Sequence, residues 1–117
     1  MNERQRFAIL ETSCWICGDI ATDTHEIARG VHRKAALTKR SCWLRLCHQC
    51  HIEQVHGTGF WSRLAVQYAL KMIRDGVHYN RVEINGVRGR APDAIDEAEV
   101  ASVIGDVVNE LLKRRSL

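Results

Sequence analysis

Apolar residues in the second half of the chain recur at helical spacing in two segments. Between Thr58 and Arg74 they fall at every fourth position, on one face of a predicted helix: Phe60, Leu64, Tyr68 and Met72. A second helix is expected to begin after Asp96, which can cap it while Glu99 reaches back to complete the capping box. This helix ends in basic residues that suit its C-terminus, and its apolar face comprises Val100, Val103, Ile104, Val107, Val108, Leu111 and Leu112.

The segment between these two helices has a different pattern. Asp75 and Gly76 are expected to end the first helix. After them, "RVEINGVRG" alternates around Asn85-Gly86, the dipeptide best suited to a tight hairpin turn. We therefore expect two short strands there. The C-terminal helix has two interpretations, since it could pack on its own domain or form the seam of a homodimer.

The length of 117 residues predicts a single domain, 1–117, with a modest core. No apolar run approaches the ~20 residues needed to cross a bilayer, and the first residues lack the apolar core of a secretory signal. We expect a soluble cytoplasmic protein without a membrane partner. The residues with chemical potential lie within 12–57, and 58–117 is expected to be architectural.

Four of the five cysteines form two Cys-x2-Cys pairs, "CWIC" and "CHQC". An odd count in a reducing compartment fits a disulfide framework poorly. Four thiolates in a tetrahedral array form a structural Zn²⁺ site, and the predicted ligands are Cys14, Cys17, Cys47 and Cys50. The 29 residues between the pairs must fold as an insertion. The remaining Cys42 is interpreted as a small buried hydrophobic residue, with replacement of one of the four ligands as the alternative.

Together with the histidines, these pairs resemble a known family. Cys14-x2-Cys17, then "HEIARG" at 25–30, then "LCHQCH" at 46–51 followed by His56 are similar to the zinc-stapled branch of the HNH, or ββα-metal, endonucleases, closest to small phage-encoded members. The resemblance covers about 12–57. It implies an α+β fold with a zinc-stapled ββα-metal (treble-clef-like) core, followed here by a helix, a short β-hairpin and a C-terminal amphipathic helix.

The resemblance also implies the roles of the histidines. His25, on the first strand, would be the general base that activates water, while His51 and His56 would hold a catalytic divalent ion, Mg²⁺, Mn²⁺ or similar. Histidine titrates near neutrality and a divalent cation supplies counter-charge, so the two are a minimal set for phosphodiester hydrolysis. His51 and His56 are five residues apart, however, or about 140° around an α-helix. His56 is therefore expected past the helix end or outside the site.

Two further positions differ from the family pattern. Before the base, where the family has an acidic or histidine ligand, this chain has Thr24, and Asp23 or Glu26 could take its place. Where the family has an asparagine that braces the loop of the base, this chain has Cys42.

A basic stretch lies between the cysteine pairs. The net charge of the chain is only +3, but no acidic residue interrupts six cationic ones, Arg29, Arg33, Lys34, Lys39, Arg40 and Arg45. Such a stretch could grip phosphates, so DNA is the expected partner, and the family also implies phage packaging machinery. The hypothesis is a metal-dependent DNA endonuclease or nickase. The alternative is a non-catalytic, zinc-dependent module for binding nucleic acid or protein.

Overall fold

The computed structural model describes residues 1–28, 33–89 and 94–114. Within these residues the chain combines helices with one two-stranded antiparallel sheet, which confirms the predicted α+β class. The elements in chain order are α1 (Glu3–Leu10), β1 (Asp23–Glu26), α2 (Arg33–Ala36), β2 (Trp43–Leu46), a π-helical turn (Cys50–Val55), α3 (Leu64–Asp75), α4 (Arg81–Val87) and α5 (Glu97–Arg114).

The two strands pair directly although 16 residues separate them along the chain. Their register sets His25 opposite Leu44 and Thr24 opposite Arg45. Side chains alternate between the faces of a strand, so Asp23 and His25 share one face of β1. Thr24 and Glu26 share the other face, where Glu26 accepts a hydrogen bond from Arg4 of α1 at 2.7 Å.

One cluster of buried side chains joins the sheet to the helices around it. Its largest members are fully buried and come from α1, β2, the segment before α3, and α3: Phe7, Trp43, Trp61 and Tyr68. A cation also lies in this core, because the Lys71 ammonium is fully buried. It donates to Asp75 at 2.7 Å and to the backbone carbonyl of Trp43 at 3.1 Å. The ion pair lies within α3, and the bond to the Trp43 carbonyl joins α3 to β2.

The predicted helix from Thr58 to Arg74 begins later than its pattern indicates. Phe60–Ser62 form a 3-10 turn, and Arg63 is extended (ψ 132°), so α3 starts at Leu64. The predicted start at Thr58 was wrong because the Trp61 side chain packs into the core. The extended backbone at Arg63 allows this packing. The predicted end at Asp75 and Gly76 is confirmed.

The β-hairpin predicted around Asn85-Gly86 is wrong, since these residues lie within α4. Asn80 caps this helix by accepting a hydrogen bond from the Glu83 backbone N–H at 2.9 Å. Asn85 is fully buried, accepts from the Tyr68 hydroxyl at 2.6 Å and donates to the Ile95 carbonyl at 3.2 Å. These tertiary bonds favour a helix over the turn that the dipeptide prefers locally. Gly89, with φ 72°, follows the helix.

The C-terminal helix α5 packs along α3, as the first interpretation expected. Asp96 caps it, accepting from the Glu99 backbone N–H at 2.8 Å. The buried side of its apolar face consists of Val100, Val103, Val107 and Leu111. Val108 and Leu112 remain 40% and 51% exposed, and a homodimer seam through them stays a prediction. In the described part of the chain, no helix is both long and apolar enough to span a membrane.

Candidate metal centres

The four predicted zinc cysteines converge on one point. Ligand atoms of Cys14, Cys17, Cys47 and Cys50 all lie within 4.8 Å of one another. The first pair sits in a tight turn in which the Gly18 N–H donates to the Cys14 carbonyl at 3.0 Å, and Gly18 adopts φ 85°, a conformation that favours glycine. In the second pair the Cys50 N–H donates to the Cys47 sulfur at 3.4 Å. This cluster is a candidate structural metal site.

The cysteine donors fit Zn²⁺. The Cys17 and Cys47 sulfurs are 3.7 Å apart, and Zn–S bonds of about 2.3 Å put tetrahedral sulfurs about 3.8 Å apart. Burial raises the pKa of the Cys17 thiol to about 11, and burial together with the charge of Cys14 raises the pKa of Cys50. Thiolates held this closely repel one another and require a cation as counter-charge.

Cys42 stands apart from this cluster, as expected. It is fully buried, and burial raises the pKa of its thiol to about 11. Its backbone carbonyl accepts from the Ile27 N–H at 2.8 Å. Cys42 therefore braces the end of β1 through its main chain.

A second cluster unites the three predicted catalytic histidines. The Nε2 atom of His51 lies 3.3 Å from Nδ1 of His25 and 3.1 Å from Nε2 of His56. Zn–N bonds of about 2.0–2.1 Å put tetrahedral nitrogens about 3.3 Å apart. The burial of the three side chains is graded, since His25 is only 3% exposed, His51 is half-buried and His56 is exposed. The cluster therefore opens to solvent beside His56.

The π-helical turn brings His56 into this cluster. The His56 N–H donates to the His51 carbonyl at 3.1 Å, a bond over five residues instead of the four of an α-helix. Residues five apart thus share a face, and His56 follows Val55, the last residue of the turn, so it lies past the helix end, the first of the two expected placements. Gly57 makes this ending possible, because a Cβ there would collide with the backbone carbonyl of Glu53.

Hydrogen bonds outside the cluster orient two of its rings. Nδ1 of His51 donates to the Asp23 carboxylate at 2.9 Å, since a carboxylate can only accept. Burial raises the pKa of Asp23, but hydrogen bonds from His51 and His48 outweigh it and lower that pKa to about 2. Nε2 of His25 lies 3.1 Å from Oε1 of Gln67. Both rings thereby turn their other nitrogen toward the cluster.

The residues considered as replacements for Thr24 are placed differently. Asp23 lies on the same face of β1 as His25, and it reaches the cluster through His51. Glu26 lies on the opposite face, where it pairs with Arg4 at 2.7 Å. Thr24 itself accepts from Arg45 at 3.0 Å.

The basic stretch is only partly available to phosphate. Arg45 is 6% exposed, and its guanidinium donates to the Glu11 carbonyl, Thr24 and the Ala21 carbonyl. Arg40 is half-buried and pairs with Asp75 at 3.1 Å. Both guanidinium groups are thus engaged within the fold, and contact of these two residues with nucleic acid stays a prediction. The exposed cations are Arg33, Lys34 and Lys39, and Arg29 lies outside the described residues.

Sequence reasoning missed Gln67 altogether. It lies on α3, in the part of the chain expected to be architectural, and is 1% exposed. The available signal was a polar residue within an apolar helical segment. A buried side-chain amide requires hydrogen-bond partners, so Gln67 could have been expected to bond to another buried polar group.

Two clusters of metal-ligating side chains on an α+β scaffold thus define a candidate metalloprotein with one enclosed and one open centre. Comparison with known proteins adds no relative, since no family model, no curated protein and no solved structure matches the chain.

Proposed function

We propose that this protein is a metal-dependent nuclease of the HNH, or ββα-metal, type, with a structural Zn²⁺ on the four cysteines and a catalytic ion on the three histidines. The observation that carries the proposal is the convergence of His25, His51 and His56 beside the cysteine cluster. A treble-clef-like core would agree with it, because the turn before β1 carries Cys14 and Cys17, β1 carries His25, and the segment after β2 carries the other four residues of the two clusters.

In this proposal His25 is an ion ligand, in place of the general base that the resemblance implies. The bond to Gln67 engages its Nε2, and its Nδ1 faces His51. An ion held here would supply counter-charge for the phosphate oxygens during hydrolysis. The chain's own contribution is to hold His51 through Asp23 and to leave the solvent-exposed edge at His56 open to a substrate.

Nucleic acid is the proposed substrate because the basic stretch that follows the strand carrying His25 has exposed cations. Arg33 lies 3.7 Å from Glu26, the next residue on β1. Lys34 and Lys39 are also exposed. These side chains would contact phosphates without reading sequence.

A second candidate is a non-catalytic, zinc-dependent module that binds nucleic acid or protein. One observation favours it: Gln67 engages Nε2 of His25 and Nδ1 faces the ion site, so a bound ion would leave His25 no nitrogen to accept a proton from water. In this case the histidine cluster would hold its ion for stability.

The experiment is nicking of supercoiled plasmid by protein of defined metal content, with Zn²⁺, Ni²⁺, Mn²⁺, Mg²⁺ or EDTA. His56→Ala is the test variant, because its ring is exposed and its loss should disturb the core least. His78→Ala is the matched control, because His78 bonds to Asp75 at 2.9 Å and is not part of the cluster.

A nuclease requires that the wild type and His78→Ala nick the plasmid, and that His56→Ala and EDTA abolish nicking. Absence of nicking with every metal would overturn the nuclease. Salt-sensitive DNA binding by the same inactive protein would then support the second candidate.

A further inference from the structure

We propose that Gln67 is a positioning residue of the histidine cluster. It holds His25 in the tautomer whose Nδ1 faces the ion, and so makes the cluster a neutral, all-nitrogen site for a transition-metal ion such as Zn²⁺ or Ni²⁺ in place of Mg²⁺. The inference rests on the ion site of the proposed function and does not require cleavage.

The hydrogen bonds of Gln67 determine which of its atoms faces His25. Its Nε2 donates to the backbone carbonyl of Trp61 at 3.0 Å, so its Oε1 is the atom 3.1 Å from Nε2 of His25. An amide oxygen only accepts. His25 must therefore carry a hydrogen on Nε2, and in the neutral ring Nδ1 then has a lone pair.

The same argument applies to the neighbouring ring. Asp23 accepts from Nδ1 of His51, which leaves Nε2 of His51 with a lone pair when the ring is neutral. The two nitrogens that face each other at 3.3 Å are thus both acceptors. A cation between them removes this conflict, and a histidine ligand held by an outer hydrogen bond is the usual arrangement at metal sites.

The donor set decides the class of ion. Three neutral imidazoles suit Zn²⁺, Ni²⁺ or Cu²⁺, whereas Mg²⁺ prefers carboxylate, carbonyl and water oxygens. The two carboxylates of β1 are already committed, because Asp23 accepts from His51 and Glu26 pairs with Arg4 on the opposite face. The expectation of Mg²⁺ is thereby replaced by a borderline transition metal.

The test is calorimetric titration of Zn²⁺ and of Ni²⁺ into protein that retains one zinc per chain after dialysis against a weak chelator. The variants are Gln67→Met, which keeps the side-chain length without the acceptor, and Gln67→Glu, which keeps the acceptor. Asn85→Met is the matched control, because it removes another fully buried amide, bonded to Tyr68, away from the cluster.

We expect wild type, Gln67→Glu and Asn85→Met to bind the second ion alike, and Gln67→Met to bind it about 10- to 100-fold more weakly. Mg²⁺ should give no heat of binding at the cluster. Equal affinity of Gln67→Met and wild type would overturn the positioning role, as would an equal loss in Gln67→Glu. A wild type that takes up no second ion refutes the ion site, whereas an ion bound without nicking refutes only the nuclease.

Discussion

The rings of His51 and His56 face each other because the backbone between them forms a π-helical turn. Their Nε2 atoms are 3.1 Å apart, and the His56 N–H donates to the His51 carbonyl. An α-helix would separate the two side chains by about 140°. One extra residue in a helical turn therefore brings together two histidines of unsuitable spacing so that both could hold one ion, and such turns are frequent at functional sites.

Gly57→Ala should weaken the histidine cluster without affecting the cysteine cluster. The new Cβ would collide with the Glu53 carbonyl, so the turn must shift and move His56. We expect a loss of about 1–3 kcal/mol in stability and of the second bound ion, measured by urea unfolding and metal analysis. Gly59→Ala is the control, because a Cβ there has no neighbour within 4 Å. Equal metal content in both variants would contradict this account of Gly57.

Cys47→Ser should lose the structural ion and the fold together. Removal of one thiolate from a four-cysteine site lowers zinc affinity, and binding energy at such a site is folding energy. Metal analysis and circular dichroism provide the measurement. Cys42→Ala should keep the ion and cost only about 1 kcal/mol, because it deletes a small buried group. Loss of zinc in Cys42→Ala would show that Cys42 is a ligand.

Asp75→Asn should destabilise the protein near neutral pH by about 3 kcal/mol, because it leaves the buried Lys71 ammonium without its counter-charge. Burial opposes ionisation of Asp75, but hydrogen bonds from Lys71, Arg40 and His78 lower its pKa below the usual value. A carboxylate whose pKa is lowered in the folded state stabilises the folded protein fully above the unfolded-state pKa of about 4. This contribution to stability disappears as pH falls through the folded-state pKa.

Urea unfolding from pH 6 to pH 2 measures this effect as the difference between wild type and variant. The difference should shrink below about pH 4, while acid release of metal affects both proteins. Asp106→Asn is the control, because Asp106 is exposed on α5. A difference that stays constant with pH would contradict the role of the Asp75 charge.

Substitutions of two cations in the same basic stretch should affect different properties, DNA binding for Lys34 and stability for Arg45. Lys34→Gln should weaken DNA binding and reduce the slope of log affinity against log salt by about 1, because an exposed lysine contacts phosphate. Arg45→Met should instead cost about 3 kcal/mol of stability, because its buried hydrogen bonds are lost. Filter binding at several salt concentrations and urea unfolding separate the two effects. An unchanged salt slope in Lys34→Gln would remove this residue from the interface.

Neighbouring valines of α5 test the homodimer. Val107→Ala should cost about 1–3 kcal/mol, because Val107 is fully buried against the core. Val108 is 40% exposed, so Val108→Asp should leave a monomer nearly unchanged. Sedimentation measures the oligomeric state, and a dimer built on this face would dissociate in Val108→Asp.

The sequence by itself determined the features that depend on residue spacing. Two Cys-x2-Cys pairs need only a tight turn to aim two sulfurs at one ion, and Asp96 caps α5 through a bond three residues along the chain. The end of α3 at Asp75 is of the same local kind, whereas the α+β class was implied by the family resemblance. The sequence also indicated that Cys42 is buried, because a cysteine outside a metal site usually behaves as a small buried hydrophobic residue.

Tertiary structure alone decided the rest. Asn85-Gly86 became helical because the Tyr68 hydroxyl bonds to Asn85, and Arg45 became internal because the strand that carries it is buried on all sides. Gln67 joined the histidine cluster from 42 residues beyond His25. Local propensities amount to about 1 kcal/mol, so a buried hydrogen bond or ion pair of greater energy overrides them. The partners in such a bond are far apart along the chain, and no local sequence pattern reveals them.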